Sequence, residues 1–142
     1  MALIDLDNEF LNEYKKQHNV IGIIGGPPCQ GFSGLNRWEK DKDNDPRNKL
    51  FLQYLRFVDE LRPRAILIEN VKQILTSKDG YVPKHITAFL SERGYHVSYQ
   101  ILNASEFGVP QKRERAFFIA IDNNYPKFDF SILNNYKMPK VT

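Results

Sequence analysis

The stretch Gly25-Gly26-Pro27-Pro28-Cys29-Gln30-Gly31-Phe32-Ser33 constrains this chain more than any other. A β-branched apolar run at residues 20–24, Val-Ile-Gly-Ile-Ile, leads into it and has the length of a buried strand. Two prolines fix φ and remove ladder donors, so the strand must stop before Cys29. The glycines on either side let the backbone turn sharply and pass close to a ligand. The pattern predicts a thiol on a stiffened turn at the carboxyl end of a strand, where open α/β sheets bind their ligands. Cys29 is the only cysteine, which excludes an internal disulfide and a Cys-rich metal site and suits a reducing cytosol. A lone cysteine is more often a small buried hydrophobe than a nucleophile. The proline-locked turn favours the nucleophile, because a core cysteine needs no such setting.

Asp7 or Asn8 can cap a first helix that carries Phe10, Leu11 and Tyr14 on one face and ends near His18. Ile4-Asp5-Leu6 before it reads as a strand end. Residues 34–44 are polar and without period, an exposed loop in which Arg37, Lys40 and Lys42 interleave with Trp38. A solvated loop is the bland account of them, and a lid meeting a polyanion the functional one. Asp45-Pro46 reads as a cap followed by proline at the first helical position. The helix behind it carries Leu50, Phe51, Tyr54, Leu55, Val58 and Leu61 and ends before Pro63. A second buried strand covers residues 64–68, with Glu69-Asn70-Val71 at its carboxyl end. Strand, helix and strand in that order give a βαβ unit with a parallel pair. That topology brings Cys29 and Glu69 to one edge of the sheet. Further on, a turn of helix around Ile74-Leu75 precedes a helix that opens at Pro83 and stops at Gly94. Strands at residues 95–102 and 116–121 follow with no helix between them, so they should pair antiparallel. From Asp122 the composition predicts an extended, loosely ordered segment.

A length of 142 residues suits one domain with a core. Charges interrupt every apolar run, which argues against a membrane span. The early acids Asp5, Asp7 and Glu9 are unlike a signal peptide, so a cytoplasmic or nucleoid-associated protein is expected. The net charge of +3 permits a nucleic-acid partner without demanding one.

The chemistry-bearing groups are a thiol, a carboxylate at a strand end, and the cluster Gln111-Lys112-Arg113-Glu114-Arg115. Glu69 can equally be a salt-bridge partner, and the arginines a solvated strand edge. Together they suit attack on an electron-poor ring: a thiolate adds, a carboxyl group shares a proton, and guanidinium groups hold an oxygen or a phosphate.

With these residues in view, the chain resembles the DNA (cytosine-5) methyltransferases. The resemblance rests on the Pro-Pro-Cys stretch, on Asp45-Pro-Arg47-Asn48-Lys-Leu50, on Glu69-Asn70-Val71, and on Val109-Pro-Gln111-Lys-Arg113-Glu-Arg115, in the family's order. It covers roughly residues 4–121 and implies part of a Rossmann-like, S-adenosylmethionine-dependent α/β sheet, parallel strands followed by an antiparallel hairpin. Residues 1–121 would form part of the catalytic domain, and 122–142 the start of a target-recognition region or an extended tail. The resemblance implies Cys29 as the nucleophile at C6 of a cytosine flipped out of double-stranded DNA. It implies Glu69 at N3 and the exocyclic amine, Arg115 at the base oxygen, and Arg113 supporting the site. Asp5, Pro27, Asn48 and Leu50 would line S-adenosylmethionine, while Gln30, Ser33, Arg37 and Gln111 would approach DNA. The family's aromatic-x-Gly-x-Gly cofactor loop is not in this sequence, so the chain by itself is expected to be inactive. A missing part or a second chain would complete it, and an incomplete sheet favours self-association. Two other readings stay open: a complementing DNA-binding subunit of a split enzyme, and a transfer-RNA cytosine-5 methyltransferase.

Overall fold

The computed structural model describes residues 7–28, 46–76 and 80–139. Helix α1, Asn8–Gln17, starts where the Asp7 carboxylate accepts the Phe10 backbone N–H at 2.8 Å. It buries Leu11, while Phe10 and Tyr14, expected beside it, stay largely exposed. Strand β1, Gly22–Gly25, leads into the Pro27-Pro28 turn. Helix α2, Pro46–Leu61, returns to β2, Ala65–Val71. Glu69, Asn70 and Val71 are the last residues of this strand, at its carboxyl end as expected. A 3-10 turn, Lys72–Leu75, precedes α3, Tyr81–Glu92, which opens two residues before Pro83. Strands β3, Tyr95–Asn103, and β4, Glu114–Asp122, are joined by a second 3-10 turn, Ala104–Phe107.

The sheet order is β1-β2-β4-β3. β1 and β2 are parallel, with Ile23 opposite Ile66, and β4 runs antiparallel to both its neighbours. Because β4 inserts beside β2, the residues after Gln111 run directly past Glu69. One sheet face is buried under α2 and α3. Ile66 and Ile68 of β2 and Ala116, Phe118 and Ala120 of β4 meet Phe51, Tyr54, Leu55 and Val58 of α2 and Val82, Ile86 and Leu90 of α3. The small-large-small order along β4 lets the helices approach closely around Phe118, and each fully buried side chain of this size contributes about 1.5–3 kcal/mol.

β1 differs from its sequence reading. Val20 and Ile21 precede the strand, and only alternate residues are partly covered. Ile24 is 81% exposed and Ile21 60% exposed. Parallel strands are usually covered on both faces. Among the described residues, however, β1 pairs only with β2, and nothing covers its Ile24 side. The segment after Asp122 also departs from expectation. Residues Phe130–Tyr136 form a 3-10 helix, Phe130 is buried, and the Ser98 hydroxyl donates to the Phe128 carbonyl at 2.8 Å. The Met138 N–H donates to the Glu106 carbonyl, and the Met138 sulfur lies over Gly108, whose φ of 81° excludes most other residues. Alternating Phe128 and Phe130 anchor this segment despite its polar composition.

Gly25 packs against the Tyr54 ring so closely that a Cβ there would lie 2.5 Å from Cε2. The Tyr54 hydroxyl is fixed between the Leu67 carbonyl at 2.9 Å and the Ile23 carbonyl at 3.3 Å, so the ring cannot retreat, and burial pushes its phenol pKa well above the usual value. Gly25→Val is expected to lower stability by about 1–3 kcal/mol through overpacking. Urea denaturation would show it, and an unchanged midpoint would refute it.

Candidate active site

Glu69 and Arg115 meet because of register. Glu69 lies opposite Phe117 and Val71 opposite Arg115, so the two charged side chains share a sheet face as diagonal neighbours. The Arg115 Nε stands 3.1 Å from Glu69 Oε1, and the side chains are 26% and 36% exposed. A second Arg115 nitrogen, Nη1, donates to the Glu114 carbonyl at 2.8 Å and steadies the guanidinium. Glu114 alternates to the opposite face and pairs with Lys72, whose hydrogen bond and charge hold its carboxyl below the usual range.

Asn70 joins this pair to the proline turn. It is the one buried polar side chain of the described core. Its Nδ2 donates to the Pro27 carbonyl at 2.9 Å, and its Oδ1 accepts the Val71 N–H at 2.9 Å. Gly26 lies against Glu69, where an added Cβ would be 3.0 Å from Oε2. The glycine therefore gives the carboxylate its place beside the turn. Sequence reading included Asn70 in a motif but gave it no role. Its signal was a polar residue at an alternate position whose neighbours, Ile66 and Ile68, face the core.

A cavity of about 340 Å³ opens on the Glu69 face. Arg113, Arg115 and Phe117 of the β4 side, Leu102, Ala104 and Phe107 around β3, and Leu133 line it with Glu69. Its size is that of small-ligand sites, which combine an apolar lining with a few placed polar groups. Phe107 and Leu133 were not singled out in sequence. Leu133 enters only because the Phe130–Tyr136 turn folds back on the sheet.

Of the other residues expected at the site, Pro27 is buried in the turn, Leu50 is half-buried on α2, and Gln111 is exposed ahead of β4. Asn48 lies in α2, with its side chain outside the described residues, and Asp5, Cys29, Gln30, Ser33 and Arg37 lie outside them altogether. Among the described residues no group of His, Cys, Asp and Glu has the makings of a metal site, and no helix is long and apolar enough to cross a membrane.

Comparison with known proteins gives the family. The family model for C-5 cytosine-specific DNA methylase matches residues 2–141. The chain belongs to this family. The type II methyltransferase M.DdeI of Desulfomicrobium norvegicum is 47% identical over 112 residues, 76% of this chain and 26% of that protein. The type II methyltransferase M.FnuDI of Fusobacterium nucleatum is 41% identical over 111 residues, 77% of this chain and 32% of that protein. Among solved structures, the Dnmt2 methyltransferase of S. pombe superposes over 99% of this chain and 41% of its own length, with a TM-score of 0.73 and 25% identity. The chain thus spans between about a quarter and a third of the length of these two curated relatives. The likeness places it in the α/β methyltransferase fold, with a parallel pair followed by antiparallel strands.

Proposed function

We propose that this chain supplies the catalytic centre of a DNA cytosine-5 methyltransferase acting on double-stranded DNA with S-adenosylmethionine as methyl donor. The observation that carries the reading is the bond from Asn70 to Pro27, beside the Glu69–Arg115 pair. Pro27 precedes Cys29 by two residues, and two peptide units span at most about 7 Å. On this reading a thiol two residues beyond Pro27 would share a site with a carboxylate and a guanidinium.

In the proposed reaction the Cys29 sulfur attacks C6 of a flipped cytosine and forms an S–C6 bond. The C5–C6 π electrons move onto C5. Glu69 takes the N3 edge and shares a proton there, which neutralises charge as the sulfur adds. Arg115, already oriented by the Glu114 carbonyl, holds the base oxygen, and Arg113 lines the same cavity. Arginines near the thiol would also favour the thiolate. When bound, S-adenosylmethionine supplies an electrophilic methyl group to C5. Loss of the C5 proton then expels the sulfur and restores the ring. Gly25 and Glu69 open onto the same carboxyl edge of the parallel pair, which suits a ligand at that edge. On this reading Pro27, Asn48, Leu50 and Asp5 would line the donor. Gln30, Ser33, Arg37 and Gln111 would meet DNA, and residues 122–142 would lead towards target recognition.

The test is a chimera in which this chain replaces the matching segment of M.DdeI, assayed on duplex DNA containing 5-fluorocytosine with S-adenosylmethionine. Fluorine at C5 blocks the final elimination. A denaturant-resistant protein–DNA complex that disappears in Cys29→Ser is expected. A folded chimera that forms no complex would reject the reading, and turnover on transfer RNA in place of duplex DNA would reassign the substrate.

A further inference from the structure

At the opposite end of the sheet from Glu69 lies a polar pocket of about 370 Å³. Lys15 and Lys16 reach it from the last turn of α1, His18 from the residue that closes that helix, and Arg62 and Arg64 from the link between α2 and β2. The five residue steps from Arg64 to Glu69 span about 16 Å of strand, so this pocket is separate from the proposed catalytic site. The end of α1 accounts for Lys15 and Lys16, since cations favour helix carbonyl ends. It does not account for Arg62 and Arg64, which come from another segment.

The pocket's charge is only partly compensated. Among the described residues, Lys15, Arg62 and Arg64 make no ion pair. Glu13 pairs with Lys16 of the pocket itself, Asp59 pairs with Arg93, and Asp122, which accepts from the Asn124 amides, acts with Arg62 on the Tyr95 hydroxyl. Arg62 also carries backbone strain. Its φ of 47° is the one positive value among the described non-glycine residues. It follows the end of α2, where glycine is the usual occupant of the left-handed position. Its Nη1 donates to the Arg93 carbonyl at 3.0 Å, and Arg64 lies 5.8 Å from the Tyr125 ring centroid, so both guanidinium groups are held in place.

We propose that this pocket binds the phosphodiester backbone of nucleic acid, giving the protein a second DNA contact at the amino ends of β1 and β2. Guanidinium forks and ammonium groups on one concave surface match phosphate oxygens. The choice of nucleic acid among phosphate-bearing polyanions rests on the DNA-modifying reading above. The test is fluorescence anisotropy of the 142-residue chain with a short ordinary duplex and no methyl donor, titrated with salt. The variant Lys15→Gln/Arg62→Gly/Arg64→Gln is expected to bind at least ~10-fold more weakly at low salt, with the log–log salt slope reduced by about 2.7, or 0.9 for each of three phosphate contacts. Its melting temperature should hold, because glycine at 62 relieves the strain. A second variant, Lys15→Gln/Arg64→Gln, leaves Arg62 in place and should show about two-thirds of the slope change. Unchanged affinity and slope in both variants would overturn the proposal. So would an unmodified chain that binds anionic vesicles but no duplex. Trapping at Cys29 reports on the other site. Its failure alongside pocket-dependent duplex binding would reject the catalytic reading alone, and the reverse pattern would reject this one.

Discussion

Glu69→Gln is expected to slow methyl transfer by about 100- to 10,000-fold, the range for loss of a positioned acid–base group. The substitution keeps the shape of the side chain and an oxygen for the Arg115 Nε, now 3.1 Å away, and removes the group proposed to share a proton with the base. The fold should hardly notice. The pair is 26% and 36% exposed, and exposed ion pairs contribute about 0–1 kcal/mol. Single-turnover transfer of labelled methyl by the M.DdeI chimera separates the two roles. A large fall in rate with an unchanged melting temperature supports the catalytic role. A lowered melting temperature with an unchanged rate would make Glu69 a structural partner of Arg115. The double exchange Glu69→Arg/Arg115→Glu sharpens the point: it keeps opposite charges across the strands and should leave stability unchanged, yet leave the protein inactive.

Most elements were legible in the sequence because their signals are local. Asp7 caps α1, the apolar spacing from Leu50 to Leu61 gives α2, Gly94 ends α3, alternation marks β3, and a continuous apolar run marks β4. What escaped depends on contacts between distant segments. The insertion of β4 between β2 and β3 is a pairing decision that no local pattern records, and it is what sets Arg115 beside Glu69. The burial of Phe130 and the entry of Leu133 into the cavity likewise depend on a surface supplied by β3 and β4. The exposure of Ile24 runs the other way. Its β-branched neighbourhood predicts a covered strand, but coverage needs a neighbouring layer that the strand's own sequence does not specify. The motifs brought out Glu69, Arg113 and Arg115 because charged groups at strand ends stand out. Asn70 went without a role because its importance is in where its two hydrogen bonds lead.

Asn70→Leu is expected to lower stability by about 2–3 kcal/mol, a large share of the 5–15 kcal/mol typical of a domain. Leucine keeps the branched skeleton of asparagine but is bulkier, so some overpacking adds to the loss. What is lost is the donor to the Pro27 carbonyl and the acceptor for the Val71 N–H. Val71 is 39% exposed, so water can replace its partner. Pro27 is buried, and its carbonyl is left unsatisfied at about 1–3 kcal/mol. Asn70→Asp isolates the donor, because a carboxylate still accepts from Val71 but faces the Pro27 oxygen with a second oxygen. It should be at least as damaging as leucine, since it places an unpaired charge in a buried position. With urea slopes of about 1–3 kcal/mol/M, either change moves the unfolding midpoint by roughly 1 M or more. Function should fall further than stability does. The same bond anchors the turn that leads to Cys29, so adduct formation by Asn70→Leu should stay low even at temperatures where the chimera is fully folded. Adduct formation at the unsubstituted rate would mean that the turn holds its shape without Asn70, and that the two prolines and Gly26 suffice to present the thiol.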